Sequence, residues 1–259
     1  GVMTLGAALP MLMGVSIGAS FPVLLSAVGA RTEGKRAAMV YLTAAVLGTA
    51  VLSALFYGVN SFADFAFLGD AALTELTLPA SVNAVNGSAF VRCSALDAFT
   101  VADGNTTYTA VDGVLFNAGG TELVSWPAGK GESDYEIPDG VLRVGDYAFA
   151  GAGDLQFVQF PETLSAVGSY AFCECDDLNS VVFPAGSVSL GNSAFAGCSA
   201  LEMVGFPGEL PTVLGENVFA DCGEKLLFLA AVDHEFGWYA PDVTEWQGYP
   251  IIGWRVGEP

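Results

Sequence analysis

A period of about 23 residues constrains the fold of this chain more than any other feature. An Ala-Phe pair, replaced by Val-Phe in the last copy, recurs with its phenylalanine at Phe67, Phe90, Phe149, Phe172, Phe195 and Phe219. The spacings are 23, 59, 23, 23 and 24 residues. Leucine follows most of these phenylalanines after six residues, and two further apolar residues follow that leucine at fixed distances. Periods of this length are typical of solenoids, in which stacked repeats share one core.

Each repeat predicts one short strand with a single buried face. In LQFVQFP, Val158 and Phe160 alternate with Phe157 and Gln159, and Pro161 ends the strand because proline cannot donate to a continuing ladder. The remaining half of the repeat turns the chain back through turns or short helices. We therefore predict an α/β leucine-rich-repeat solenoid over residues 61–230, with residues 231–259 as a C-terminal cap.

The 59-residue interval is about 13 residues longer than two repeats. It contains alternating apolar runs separated by Asp112-Gly113 and by Gly119-Gly120, which are turn signals of β-hairpins. We interpret residues 103–134 as a strand-rich insertion in a divergent repeat.

The repeat resembles the BspA-type leucine-rich repeats of microbial surface proteins. The family pattern AFxxCxxLxxVxFPxxLxxIGxxAF is matched almost throughout by AFCECDDLNSVVFPAGSVSLGNSAF at residues 171–195, and the resemblance covers about 160 residues. It implies an extracellular or surface location and binding or adhesion through the array. It leaves the identity of the partner, protein or glycan, open.

Residues 1–60 have a different composition and predict a membrane segment of two helices. No charged residue occurs in 1–30 or in 37–63, and each run exceeds the roughly 20 residues that span a bilayer. Pro10 and Pro22 predict that the first helix is interrupted. By the positive-inside rule, the basic loop RTEGKR between the runs is expected in the cytoplasm, which places the repeats outside the cell membrane. The lipid bilayer is therefore a predicted partner of residues 1–60.

The same segment resembles part of the sodium–phosphate cotransporter family. Gly14, Ile17 and Gly18 match its Gly-x-Asn-Ile-Gly-Thr stretch, with Ser16 in place of Asn, and Gly29-Ala30 and the basic loop follow in the family's order. The resemblance places Gly14, Ser16, Gly18 and Ser20 in a transporter-like segment and implies sodium and phosphate as ligands. Two spans cannot form a midplane site between inverted repeats, so the alternative is a fragment of such a transporter with an appended repeat domain.

Charge and side-chain chemistry exclude other classes of function. The net charge is −20, which repels a nucleic-acid backbone. The acidic residues are scattered without a calcium-loop pattern. The only histidine, His234, stands between Asp233 and Glu235, and neither a nucleophile nor a full set of metal ligands can be identified for it. We therefore expect no enzyme activity, no metal site and no cofactor.

The cysteines fit the repeat rather than a redox or zinc site. Four of them stand three residues after a repeat phenylalanine and predict a column of small buried side chains: Cys93, Cys175, Cys198 and Cys222. Cys173 is outside this register, and we expect it to be a more exposed thiol.

The outward strand positions predict a binding strip. Phe157, Ser180 and Met203 follow one column across successive strands, and Gln159 and Val182 follow the next. Phe157, Val182 and Met203 would form an apolar cluster on an otherwise polar face, which suggests contact with a partner. There are two alternatives. The apolar residues are random sequence variation among the repeats, or the 103–134 insertion covers them.

Overall fold

A computed structural model describes residues 61–208, 210–211, 213–231, 245–246 and 248–254. The predicted membrane hairpin, with Gly14, Ser16, Gly18 and Ser20, lies outside these residues, as does His234. Within the described residues, no helix is both long enough and apolar enough to cross a membrane.

The described chain forms two compact units. Residues up to 119 belong to the first unit together with 124–130, and the second unit comprises 120–123 and the chain from residue 131 onward. The strands of the first unit are β1 (Glu75–Leu78), β2 (Ala98–Val101), β3 (Tyr108–Val111) and β4 (Val114–Asn117). Strand β5 (Glu122–Ser125) begins in the second unit and ends in the first.

In the first unit, two repeats and a hairpin surround one core. Strands β1 and β2 pair in parallel, and Glu75 lies beside Ala98. Strands β3 and β4 pair antiparallel around Asp112 and Gly113, whose φ angles of 49° and 80° suit a tight hairpin turn, so the predicted hairpin is confirmed. Buried phenylalanines fill the core: Phe67 stacks on Phe90 at 5.6 Å, and Phe90 meets Phe99 edge-on at 4.9 Å.

The second unit contains one main sheet and one set of two-residue strands. The main sheet has the order β14-β15-β13-β12-β10-β8-β6, and its strands pair in parallel except for β14 with β15. The short strands β11, β9 and β7 pair in parallel, and β7 pairs with the start of β5. The strands are β6 (Asp134–Glu136), β7 (Arg143–Val144), β8 (Phe157–Gln159), β9 (Ala166–Val167), β10 (Ser180–Val182), β11 (Ser189–Leu190), β12 (Met203–Phe206), β13 (Leu227–Ala231), β14 (Glu245–Trp246) and β15 (Tyr249–Trp254).

The α/β prediction is wrong in its helical part. The structure is a mostly-β leucine-rich-repeat solenoid, and among the described residues its only helix is the single 3-10 turn Gly87–Phe90. The segment between two main strands turns sharply and adds a two-residue strand such as Ala166–Val167. Residues with positive φ, such as Tyr170, interrupt this segment, and the chain there forms turns instead of a helix.

Two columns of stacked rings form the core of the second unit. The rings of the repeat phenylalanines stack in sequence at centroid distances of 4.6, 5.0 and 5.5 Å: Phe149, Phe172, Phe195 and Phe219. Phenylalanines within the main strands or directly after them form the second column at 5.1, 5.0 and 6.3 Å: Phe160, Phe183, Phe206 and Phe228. The two columns meet edge-on, for example where Phe183 lies 6.0 Å from Phe195. Both arrangements are favoured pairings of aromatic rings.

The close spacing of repeats in the second unit depends on a glycine four residues before a repeat phenylalanine, as at Gly168, Gly191 and Gly215. An added Cβ at Gly191 would lie 2.5 Å from the backbone nitrogen of Ser169 in the preceding repeat. Any larger side chain there would push the two turns apart. The tail contributes to the far end of the unit, where β15 pairs with β13 and the Tyr249 hydroxyl donates to the Phe219 carbonyl at 2.8 Å.

Candidate sheet-face site

The strand register places the predicted strip residues next to one another. Ser180 of β10 lies between Phe157 of β8 and Met203 of β12, and Val182 lies beside Gln159. Parallel neighbours in a sheet are about 4.8 Å apart, so these five residues occupy one small area of the face. The residue columns predicted from the repeat spacing therefore match the observed strand register.

The apolar members of the strip are accessible. Phe157 is 44% exposed and Val182 is 45% exposed, whereas Met203 and Ser180 are partly buried. Large apolar side chains exposed next to one another are informative, since single exposed ones are common on any surface.

Strand β13 extends the strip by two leucines that the sequence analysis did not include. Leu227 pairs with Met203 and Leu229 with Gly205, and both leucines are partly buried. Leu227 and Leu229 stand eight and ten residues after Phe219, as Met203 and Gly205 do after Phe195, although the repeat leucine comes one residue later, at Leu226. We call the set Phe157, Val182, Met203, Leu227 and Leu229 the sheet patch.

Gly205 is a buried position within the column of Val182 and Leu229. The residue lies between Val182 and Leu229 in its column, and it has no side chain to fill the space between them. A Cβ added at Gly205 would lie 3.3 Å from a methyl carbon of Val182, so the valine side chain already packs against the glycine backbone.

The 103–134 insertion contributes an edge strand on this side. Its last residue, Asp134, begins β6 and pairs with Phe157, while Glu136 pairs with Gln159. Both carboxylates are exposed, so the apolar area ends at an acidic border along β6. This part of the insertion lies beside β8 in the sheet and leaves Phe157 accessible.

The thiol column is a feature of the core. Cys93, Cys175 and Cys198 are completely buried, as predicted, whereas Cys222 is partly buried. Each thiol donates to the carbonyl of a phenylalanine in the preceding repeat, for example Cys175 to Phe149 at 3.1 Å.

The surroundings of three of these thiols, those of Cys93, Cys198 and Cys222, raise their pKa and so keep them protonated. Burial raises the pKa of the Cys93 thiol to about 12. The hydrogen bond with Cys175, together with burial, raises the pKa of the Cys198 thiol. The hydrogen bond with Cys198 and burial raise that of Cys222. A protonated thiol is a poor nucleophile and a poor metal ligand, so this column contributes to packing.

The described residues offer little chemistry beyond this. Within them, no three His, Cys, Asp or Glu side chains are grouped so that they could hold a metal ion.

An open cleft of about 510 Å³ in the first unit is lined by Phe99–Asn105, Tyr108–Ala110 and Gly113. Asn105 lies in it, but its amide donates to the carbonyls of Pro79 and Val82 and so holds the loop. Asp103 is the only ionisable side chain of this lining besides the Tyr108 phenol.

Comparison with known proteins identifies the repeats. A family model described as "BspA type Leucine rich repeat region" matches residues 54–114 and 131–231 in six copies. Comparison with curated proteins gives no match. Nothing in the comparisons supports a relationship to sodium–phosphate cotransporters.

Two solved structures resemble the chain over about half of their own length. A leucine-rich repeat protein from Eubacterium ventriosum ATCC 27560 is 21% identical, with a TM-score of 0.58 over 65% of this chain and 45% of that one. A leucine rich cell surface protein from Faecalibacterium prausnitzii A2-165 is 27% identical, with a TM-score of 0.52 over 70% of this chain and 53% of that one. With its stacked Ala-Phe repeats and a family model that covers most of its length, this chain belongs to the BspA-type leucine-rich-repeat family.

Proposed function

We propose that the chain is a surface interaction protein that binds a partner protein through the sheet patch. The observation that carries this proposal is the exposure of Phe157 and Val182 beside Met203 on a regular sheet face. Solenoid sheets of this kind offer extended surfaces for binding, and apolar clusters on them are typical of protein contacts. Repeat solenoids serve as interaction domains, and the matched family indicates no enzyme.

The proposed location is outside a cell, with the bilayer as the anchor of residues 1–60. The two uncharged runs of residues 1–30 and 37–63 and the basic loop between them support this topology. The similarity to a protein described as a leucine rich cell surface protein supports it as well. Protease treatment of intact cells that make the full chain tests it. Loss of the repeat domain to external protease is expected, and complete protection would contradict the topology.

Binding of the full chain to an array of purified cell-surface and secreted proteins tests the docking role. Wild type is compared with the double variant Phe157→Ser, Met203→Ser, which removes apolar side chains from the sheet patch. The control is Leu142→Ser, because Leu142 is also exposed (46%) but precedes the short strand β7. We expect the double variant to lose binding to the array proteins that wild type recognises and the control to keep it. Equal binding by all three proteins would contradict the proposal.

A further inference from the structure

Two tyrosine rings stack on the surface of the second unit, away from the main sheet. Tyr147 and Tyr170 each stand two residues before a repeat phenylalanine. Their ring centroids are 4.9 Å apart and their planes differ by 8°. Tyr170 is 36% exposed, and both residues have positive φ, of 59° and 56°. The rings therefore continue along the direction in which the repeats stack, outside the core.

The stack ends at Tyr170 because the next two repeats have short side chains at this position. Ser193 and Asn217 occupy it, with φ angles of 52° and 55° that match those of the tyrosines. A serine side chain is far shorter than a tyrosine ring. Among the described residues, no second ring lies against the face of Tyr170 that is turned away from Tyr147. The opening extends over two repeats, each about 4.8 Å along the stack.

Polar groups surround this open ring face. The Asn192 side-chain oxygen accepts a hydrogen bond from the backbone nitrogen of Glu216 at 2.8 Å, which leaves its amide NH2 group to donate elsewhere. In the described part of the chain, the hydroxyls of Tyr170 and Ser193 and the carboxylate of Glu216 form no hydrogen bond with the protein. Asn192, Glu216 and Asn217 are exposed. Donors and acceptors thus border an accessible aromatic face.

We propose that the Tyr170 shelf, formed by Tyr170, Asn192, Ser193, Glu216 and Asn217, binds one ring of an uncharged saccharide. A pyranose ring has a face of C–H groups that packs on an aromatic face, and its hydroxyls both donate and accept hydrogen bonds. The shelf supplies the complementary combination: one ring face, amide and hydroxyl donors, and a carboxylate acceptor.

Charge disfavours an anionic ligand, and hydrogen-bond chemistry favours an uncharged ligand over a cation. The described residues of the second unit carry only two basic side chains, Arg143 and Lys225, against many acidic ones, so an anionic glycan is repelled. A cation would also pack on the tyrosine face and be attracted by the Glu216 carboxylate, but the Asn192 NH2 group only donates, so it can bind a saccharide hydroxyl and not a cation. This site is separate from the sheet patch and does not depend on the proposed docking role.

Saturation-transfer NMR on the full chain tests this inference with lactose, cellotriose, chitotriose and mannotriose as probes. We expect transfer to the ring C–H protons of at least one of them. Tyr170→Ala should weaken that binding about tenfold, as expected when an aromatic contact is lost. Ser193→Tyr should abolish it, because the new ring would continue the stack and fill the shelf. Tyrosine already occurs at this backbone conformation in the two preceding repeats, so this variant should fold.

The control is Phe157→Ser, which alters the sheet patch and should leave the transfer unchanged. Three results would overturn the proposal: no transfer to any of the four saccharides, unchanged transfer in both Tyr170→Ala and Ser193→Tyr, or binding at Tyr170 of N-acetylarginine amide alone. The last result would assign the shelf to cations. Loss of partner binding in the sheet-patch variants has no bearing on this outcome, so the two proposals fail independently.

Discussion

The ring of Phe172 stacks on the ring of Phe195 with centroids 5.0 Å apart and planes 1° from parallel. The two residues are 23 positions apart in the sequence, and both are completely buried. Each ring is also the neighbour of a further ring in its column, Phe149 on one side and Phe219 on the other. Stacking of repeats on one another therefore creates the core that a single repeat lacks.

Replacing a central phenylalanine of this column should destabilise the folded state. We expect Phe195→Ala to lower the free energy of unfolding by about 3–5 kcal/mol, the usual loss for a buried phenylalanine. Phe195 contacts Phe172, Phe183 and Phe219, so no neighbour can fill the cavity without leaving another ring. Denaturant titration measures the loss. Phe157→Ala removes the same atoms from an exposed position and should cost less than about 1 kcal/mol. Similar losses in both variants would contradict the assignment of core and surface.

The glycine at the repeat turn allows a second test. Gly191→Ala should destabilise the second unit by about 1–3 kcal/mol, because its Cβ would collide with the Ser169 backbone nitrogen. Gly186→Ala is the matched control, since no atom lies within 4 Å of an added Cβ there. That change should be neutral or slightly stabilising. Thermal unfolding of the two variants shows the contrast, and an unchanged midpoint for Gly191→Ala would mean that the turns are not in close contact.

The sequence predicts the repeating part of this fold well because period and packing coincide. The spacing of the Ala-Phe pairs gives the strand register, so Ser180 is correctly placed between Phe157 and Met203. Burial of Cys175 and Cys198 follows from the same spacing. A fixed period requires every equivalent side chain to meet the same environment.

Other parts of the structure leave no periodic signal. A two-residue strand such as Ser189–Leu190 is too short to show alternation, so the sequence predicts a turn or a short helix there. In the last repeat the leucine stands seven residues after Phe219 instead of six, so the usual leucine spacing does not mark the strand that holds Leu227 and Leu229. The stack of Tyr147 on Tyr170 uses left-handed backbone conformations, which the residue types alone did not suggest.

The buried thiol of Cys93 predicts a pH dependence of stability. Its pKa is raised from 9.0 to about 12, chiefly by burial. Between these values the unfolded chain releases the thiol proton and the folded chain keeps it. The stabilising contribution is therefore complete below pH 9 and is lost as the pH rises, by about 1.4 kcal/mol per pH unit.

Urea titrations between pH 8 and pH 12 measure this dependence. Tyrosine and lysine residues titrate in the same range, so the comparison is with Cys93→Ala, which retains those groups. The slope of the unfolding free energy against pH should be less steep in the variant by the amount contributed by one thiol. Parallel slopes would show that Cys93 ionises in the folded protein as readily as in the unfolded one.

The tail residue Tyr249 should stabilise the end of the second unit through its hydroxyl. Tyr249→Phe removes the hydrogen bond to the Phe219 carbonyl but keeps the edge-on ring contact with Phe228 at 5.8 Å. We expect a loss of about 1 kcal/mol. Tyr170→Phe removes a hydroxyl that forms no hydrogen bond within the described chain, and its stability should remain that of wild type. Hydrogen exchange at residues 226–230 provides the local readout.

Photocrosslinking from the sheet patch tests most directly the claim that this face is where partners bind. The full chain carries p-benzoylphenylalanine in place of Val182 or, as a control, of Leu142, and is irradiated with a partner identified on the protein array. The account predicts a crosslinked product from position 182 and none from position 142. A product from position 142 alone, or equal yields from both, would contradict it.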